Sequence, residues 1–158
     1  MKRLRVRPTS ALALILTVAG CGILEPGGSR ASLDLARARA LWASADLDDY
    51  DLRVERHCYC PSEGVVRVQV RSGERVATVI ETTDDALPAQ PAATEHPTVE
   101  ELFALVAEAI DAGAAEIRVT YHAVLGYPVE LWIDRSVNVA DEEVGYTAEL
   151  VAPGAESG

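Results

Sequence analysis

YDLRVERHCYC, residues 50–60, is the stretch that decides the fold. Tyr50, Leu52, Val54, Cys58 and Cys60 share one parity; Asp51, Arg53, Glu55, His57 and Tyr59 share the other, and Arg56 interrupts the apolar row. Period two marks a strand with one dry and one wet face. Such strands belong to antiparallel sheets, because parallel sheets are covered on both sides and read as continuous apolar runs.

Outward from this stretch the pattern recurs. Val66, Val68 and Val70 alternate with Arg67, Gln69 and Arg71, and a third strand is expected over 76–82 after the turn Ser72-Gly73-Glu74. Residues 83–97 are polar and contain Pro88, Pro91 and Pro97, so they read as a loop. Thr98-Val99-Glu100-Glu101 is a capping box that opens a helix, with Leu102, Phe103, Val106 and Ile110 on its inner face and Gly113 as its stop. Ile117, Val119 and Tyr121 then alternate with Arg118, Thr120 and His122. Val129, Leu131 and Ile133 alternate with Glu130, Trp132 and Asp134, and a last strand covers 146–150. Ahead of all these, Leu33, Ala36, Ala40 and Leu41 predict a helix over 32–46 with Ser32 as its cap.

The order is α-β-β-β-α-β-β-β. An antiparallel sheet with one wet face needs its helices on the other, which predicts a two-layer α+β domain over residues 32–152. A short tail, 153–158, is expected to be frayed. ALWASADLDDYDLRVERH (40–57) echoes ALVAEAIDAGAAEIRVTYH (104–122) with one gap, which suggests a duplicated αβββ unit.

The N-terminus bears on location. Lys2, Arg3, Arg5 and Arg7 precede the apolar run ALALILTVA (11–19). That run is too short for a spanning helix, which needs about 20 residues, and reads as an export signal over 1–20. Val18-Ala19-Gly20-Cys21 resembles the bacterial lipobox, in which Cys21 would become the lipidated first residue. Gly22, being other than Asp, resembles an outer-membrane address in Gram-negative sorting. Residues 21–31, with Pro26-Gly27-Gly28-Ser29, read as a flexible tether.

The first 20 residues hold four of the 14 basic residues and none of the 25 acidic ones, so the remaining 138 carry a net charge of −15. Such a surface repels nucleic acid and anionic lipid headgroups. The expected membrane contact is therefore the acyl group on Cys21.

Several of these residues together resemble a bacterial family of unknown function found mostly in predicted lipoproteins. They are Trp42, Asp49-Tyr50, Cys58-Tyr59-Cys60, Thr98-Val99-Glu100-Glu101-Leu102-Phe103, Gly126-Tyr127-Pro128, and Asp134 with Asp141-Glu142-Glu143. The resemblance covers about residues 35–150 and implies an envelope domain; it carries no activity.

The candidate sites are few. With Cys21 assigned to lipid, Cys58 and Cys60 form the remaining pair in an oxidising compartment. Residues i and i+2 of a regular strand lie about 6.6 Å apart, near the upper end for a disulfide, so a bridge requires a bend. Closing three residues contributes roughly 1.5 kcal/mol. A bridge is the preferred reading; buried thiols, redox chemistry, and a metal site with His57 stay open. Strand parity places both sulfurs inward.

Asp134, Asp141, Glu142 and Glu143 could offer oxygen ligands to Ca²⁺, although no EF-hand spacing is present. His57, His96 and His122 read as scattered surface histidines without a triad partner. Tyr59, Tyr127 and Trp132 are candidates for a partner surface on the open sheet face or its rim, with Trp132 packed under the 83–97 loop as the alternative. No catalytic set or cofactor fingerprint stands out. The sequence therefore reads as an exported, lipid-anchored, non-catalytic binding module, needing no cofactor and meeting an envelope protein or ligand. The alternative is thiol-redox or metal handling by Cys58 and Cys60.

Overall fold

The computed structural model describes residues 26–60, 64–81, 96–139 and 141–151. The expected signal peptide, Cys21, most of the 83–97 loop and the 153–158 tail lie outside them. Eight elements follow one another: α1 (Pro26–Ala45), β1 (Tyr50–Cys58), β2 (Val65–Arg71), β3 (Glu74–Ile80), α2 (Val99–Ala112), β4 (Glu116–Tyr121), β5 (Pro128–Asp134) and β6 (Val144–Val151). This is the expected α-β-β-β-α-β-β-β order. The strands form one antiparallel sheet in the order β3-β2-β1-β6-β5-β4.

Chemistry local to each turn explains much of this. Ser72 and Gly73 both take positive φ, the signature of a two-residue type I′ hairpin between β2 and β3. Asp49 Oδ1 accepts from Ser72 N at 2.7 Å, which fastens that hairpin to the start of β1. At the head of α2 both halves of the capping box are present, and Gly113 closes the helix in the left-handed region at φ 67°.

The dry parity of β1 and β2 packs as expected. Leu52 pairs with Val68 and Leu150, Val54 with Val66 and Ala148, and Leu52, Val54, Val66, Val68 and Val70 are all fully buried. Leu102, Phe103 and Val106 of α2 share one core with Leu52, Val54, Val68, Val70, Leu131 and Ile133.

Helix α1 departs from expectation twice. It starts at Pro26, six residues before the expected cap, because Pro at a first helical position is already set for helical φ and lacks only a donor that would be unpaired anyway. The stretch expected as tether is thus partly helical. Its buried face is Leu35, Ala38 and Trp42, whereas Leu33 is 71% exposed and Leu41 36%. Alanines spread around the whole helix make its apolar periodicity weak, and the large Trp42 ring settles which side docks.

The suggested duplication does not survive the topology. From β1 to β4 there are three antiparallel steps, so corresponding strands of the two halves run in opposite directions. Superposing the halves in sheet order would turn the sheet over and set the helices on opposite faces. Yet α1 and α2 pack against each other within one core.

Candidate functional site

Trp42, Tyr50, Val99, Glu100, Gly126 and Tyr127, six of the residues that carried the family resemblance, converge and build a structural knot. Trp42 Nε1 donates to Glu100 Oε1 at 2.9 Å and Tyr50 OH donates to Glu100 Oε2 at 2.6 Å, while Val99 N donates to the Tyr50 hydroxyl at 3.2 Å. Trp42 meets Tyr50 and Tyr127 edge-on, at 5.4 and 6.1 Å between ring centroids. Burial, then the hydrogen bond to Glu100 and its negative charge, push the Tyr50 phenol above its ordinary pKa. Gly126 has φ 78°, and a Cβ there would run into the Ala38 carbonyl and the Leu41 side chain. The glycine lets α1 lie against the β4–β5 turn. Together these side chains bind α1, β1, α2 and the β4–β5 turn.

Tyr127 therefore belongs to the core, at 4% exposure, and drops out of the partner surface. His122 is likewise no free surface histidine. Its Nδ1 accepts from Val124 N and Leu125 N, and its ring stacks on Tyr127 at 5.0 Å. β4 ends at Tyr121, and His122 begins the turn to β5, its carbonyl accepting from Gly126 N and its N–H donating to the Tyr127 carbonyl, so it no longer follows the strand's alternation. His96, expected on a polar loop, is buried.

The helix-free face has two unlike halves. Over β1 and β2, Asp51 is fully buried although it belongs to the wet parity. Arg71 Nη1 stands 2.7 Å from Asp51 Oδ1 as an ion pair, and the same nitrogen donates to the Tyr50 and Val70 carbonyls, so it meets the carboxylate off the hydrogen-bonding direction. Arg67 lies 3.9 Å from the other carboxylate oxygen. Glu81 bridges Arg53, at 2.7 Å, and Arg67. These charges cover one another.

The other half spans β4, β5, β6 and the end of β1. Cross-strand register sets Arg118, Trp132, Gly145 and His57 in one row, and Thr120, Glu130, Thr147 and Glu55 in the next. Trp132 lies half-buried across Gly145, where a Cβ would come within 2.7 Å of its ring. The Arg118 guanidinium sits 5.6 Å over the ring centroid. His57 Nε2 and Thr147 Oγ1 are 2.7 Å apart. His57, Arg118, Thr120, Glu130, Trp132 and Thr147 line a shallow hollow of about 340 Å³, within the usual range for ligand sites. Arg118, Thr120, Glu130 and Thr147 escaped the sequence reading. Their outward parity was visible, but only strand order shows that four strands bring them together.

A larger hollow, about 560 Å³, lies between α1, α2 and β4 and is lined by Arg30, Asp34, Val106, Ile117, Val119 and Tyr121. Burial and then the Asp34 carboxylate push the Tyr121 phenol up to about 12, against the pull of Arg39. Its wall is apolar apart from one neutral phenol and a charged rim, so it gathers fewer polar groups than the Trp132 hollow.

At the end of β1, Cys58 and Cys60 Sγ lie at disulfide distance with their Cα atoms 5.2 Å apart. The strand stops at Cys58 and the chain bends over residues 59–60, the bend that a bridge requires. That bend also overturns the parity reading: Cys58 is half-buried, whereas Cys60 is exposed and Tyr59 is 86% exposed. Among the described residues no three His, Cys, Asp or Glu side chains converge as a metal site. The candidate Ca²⁺ ligands Asp134, Asp141, Glu142 and Glu143 are not gathered into one, and Asp134 Oδ1 instead accepts from Ser136 N at 2.9 Å. No helix among the described residues is long and apolar enough to cross a membrane.

No curated protein and no solved structure matches the chain. A family model does match, over residues 34–153, a span that takes in the knot, the Cys58–Cys60 pair and the Trp132 hollow. On that span the chain belongs to the family of unknown function DUF6174.

Proposed function

We infer that this chain is an exported, lipid-anchored envelope protein whose open sheet face binds a protein or ligand close to the membrane and is not itself a catalytic site. The observation that carries the binding reading is the half-buried Trp132, packed over Gly145 on a face that no helix of the described residues covers. It offers a planar apolar surface flanked by the hydroxyls of Thr120 and Thr147 and the carboxylate of Glu130. A broad apolar ring with a few polar neighbours is how recognition surfaces are commonly built.

The anchor rests on residues 1–21. With α1 beginning at Pro26, only Gly22 to Glu25 separate Cys21 from the helix. Four residues reach at most roughly 15 Å, so the domain stays beside the membrane.

Two measurements test the reading. The exported chain should begin at Cys21 with acyl groups in its intact mass, and Cys21→Ser should move it from the membrane to the soluble fraction; an unacylated wild-type chain refutes the anchor. A photo-crosslinking residue at Thr120 should give a saturable adduct that Trp132→Ala abolishes. Equal labelling from position 33, on exposed α1, refutes the surface.

A further inference from the structure

A crosslink that spans a single residue constrains almost nothing. One end of the crosslink is already held: β1 is laddered to β6 from Asp51 through Cys58, and to β2 as far as Glu55. A disulfide that serves as a staple gains with the length of the loop it closes, and this one closes the shortest kind. It joins no two elements. Yet it stands where another molecule can reach it, with Cys60 and Tyr59 exposed beyond the last ladder pair, Cys58↔Val144. Exposed bridges are the labile and chemically active ones.

We propose that Cys58 and Cys60 form a dithiol–disulfide exchange centre that oxidises pairs of thiols on partner polypeptides. This goes beyond the binding surface and stands without it. A partner thiolate attacks the exposed Cys60 Sγ. A bond forms between the partner's sulfur and Cys60, the Cys58–Cys60 bond breaks, and Cys58 leaves as a thiolate that takes a proton from water. A second thiolate of the partner then attacks the partner's first sulfur, closing the partner's disulfide and expelling Cys60 as a thiolate, protonated in turn. Two electrons pass from the partner's thiols to the pair. Exchange with another disulfide compound, small or protein, runs the same steps backwards and restores the bridge. The β1–β6 ladder keeps Cys58 in place throughout, so the pair opens and closes without refolding.

The test uses the full chain carrying Cys21→Ser, so that Cys58 and Cys60 are its only sulfur nucleophiles. The oxidised protein is mixed with a reduced two-cysteine peptide, quenched in acid and alkylated for mass analysis. The peptide disulfide is expected to appear together with two new thiols on the protein. Given an excess of the peptide in its oxidised, disulfide form, Cys58→Ser should attack it through Cys60 and hold it as a mixed disulfide, and Cys60→Ser should trap about tenfold less, because Cys58 is the less accessible sulfur. Reduction should lower the thermal midpoint by less than about 5 °C. A pair that stays oxidised while the peptide stays reduced overturns the proposal. So does a chain that unfolds on reduction, since the bridge is then a staple.

Discussion

The two faces of this sheet are made from the same strands, one residue out of step. On the covered face Leu52, Val54, Val66, Val68, Val70 and Ile133 are sealed from water. On the open face the neighbouring positions carry Asp51, Arg53, Arg67 and Arg71 at one end and Trp132 with Arg118 at the other. Burial does not divide along the same line. Asp51 is as buried as Leu52 beside it, because arginine stems and paired charges exclude water where no helix does. Alternation therefore reports which side chains share a face; whether water reaches them depends on what the neighbouring strands supply.

The comparison can be broken residue by residue. Leu52→Ala should cost the most, about 2–5 kcal/mol in urea unfolding, since the side chain is fully buried within the core cluster. Asp51→Ala should come next at about 3 kcal/mol, the low end for breaking a buried pair, because the Arg71 side chain left behind is 35% exposed and partly hydrated. A cost below about 1 kcal/mol would show that the open face is wet throughout and that Asp51 matters no more than a surface charge.

Tyr50→Phe should cost about 1–3 kcal/mol by leaving Val99 N and one Glu100 oxygen without their partner. Tyrosine ionisation examines the same core from another direction. Tyr50 is raised, and Tyr121 reaches about 12 against an ordinary 10. Between those values the unfolded chain has released protons that the native chain still holds, so stability should be level up to about pH 10 and fall as pH rises to about 12. Phenolate absorbance that rises in full near pH 10, without unfolding, would contradict this. Trp132→Ala should have the smallest effect on stability, about 1 kcal/mol, because the ring is half in solvent and its stacked cation contributes little. A loss comparable to that of Leu52→Ala would make the ring part of the core and remove the open surface.

Helices α1 and α2 show how far local patterning reaches. In α2, capping box, apolar stripe and terminal glycine agree, and its bounds and buried face were legible from residues 98–113 alone. In α1, Leu33, Ala36 and Leu41 compete with Leu35, Ala38 and Trp42 for the inner face, and nothing within the helix decides between them. The decision comes from Glu100 and Tyr127, more than fifty residues away, which receive the Trp42 ring. The Trp132 hollow was unreadable for the same reason. Its members could be listed as outward-facing, yet their convergence depends on β6 crossing back to β1.

Sequence by itself determined the element order, the antiparallel character of the sheet, the dry and wet parity of its strands, and the ends of α2. Each of these follows from backbone periodicity or from hydrogen bonds within a few residues. Only the tertiary structure decided the docking face of α1, the opposed direction of the two halves, the burial of Asp51, and the exposure of Cys60 just beyond the β1 ladder. These depend on which distant segments pair across the sheet, and that choice is set by the packing of the whole core and not by any single stretch of chain.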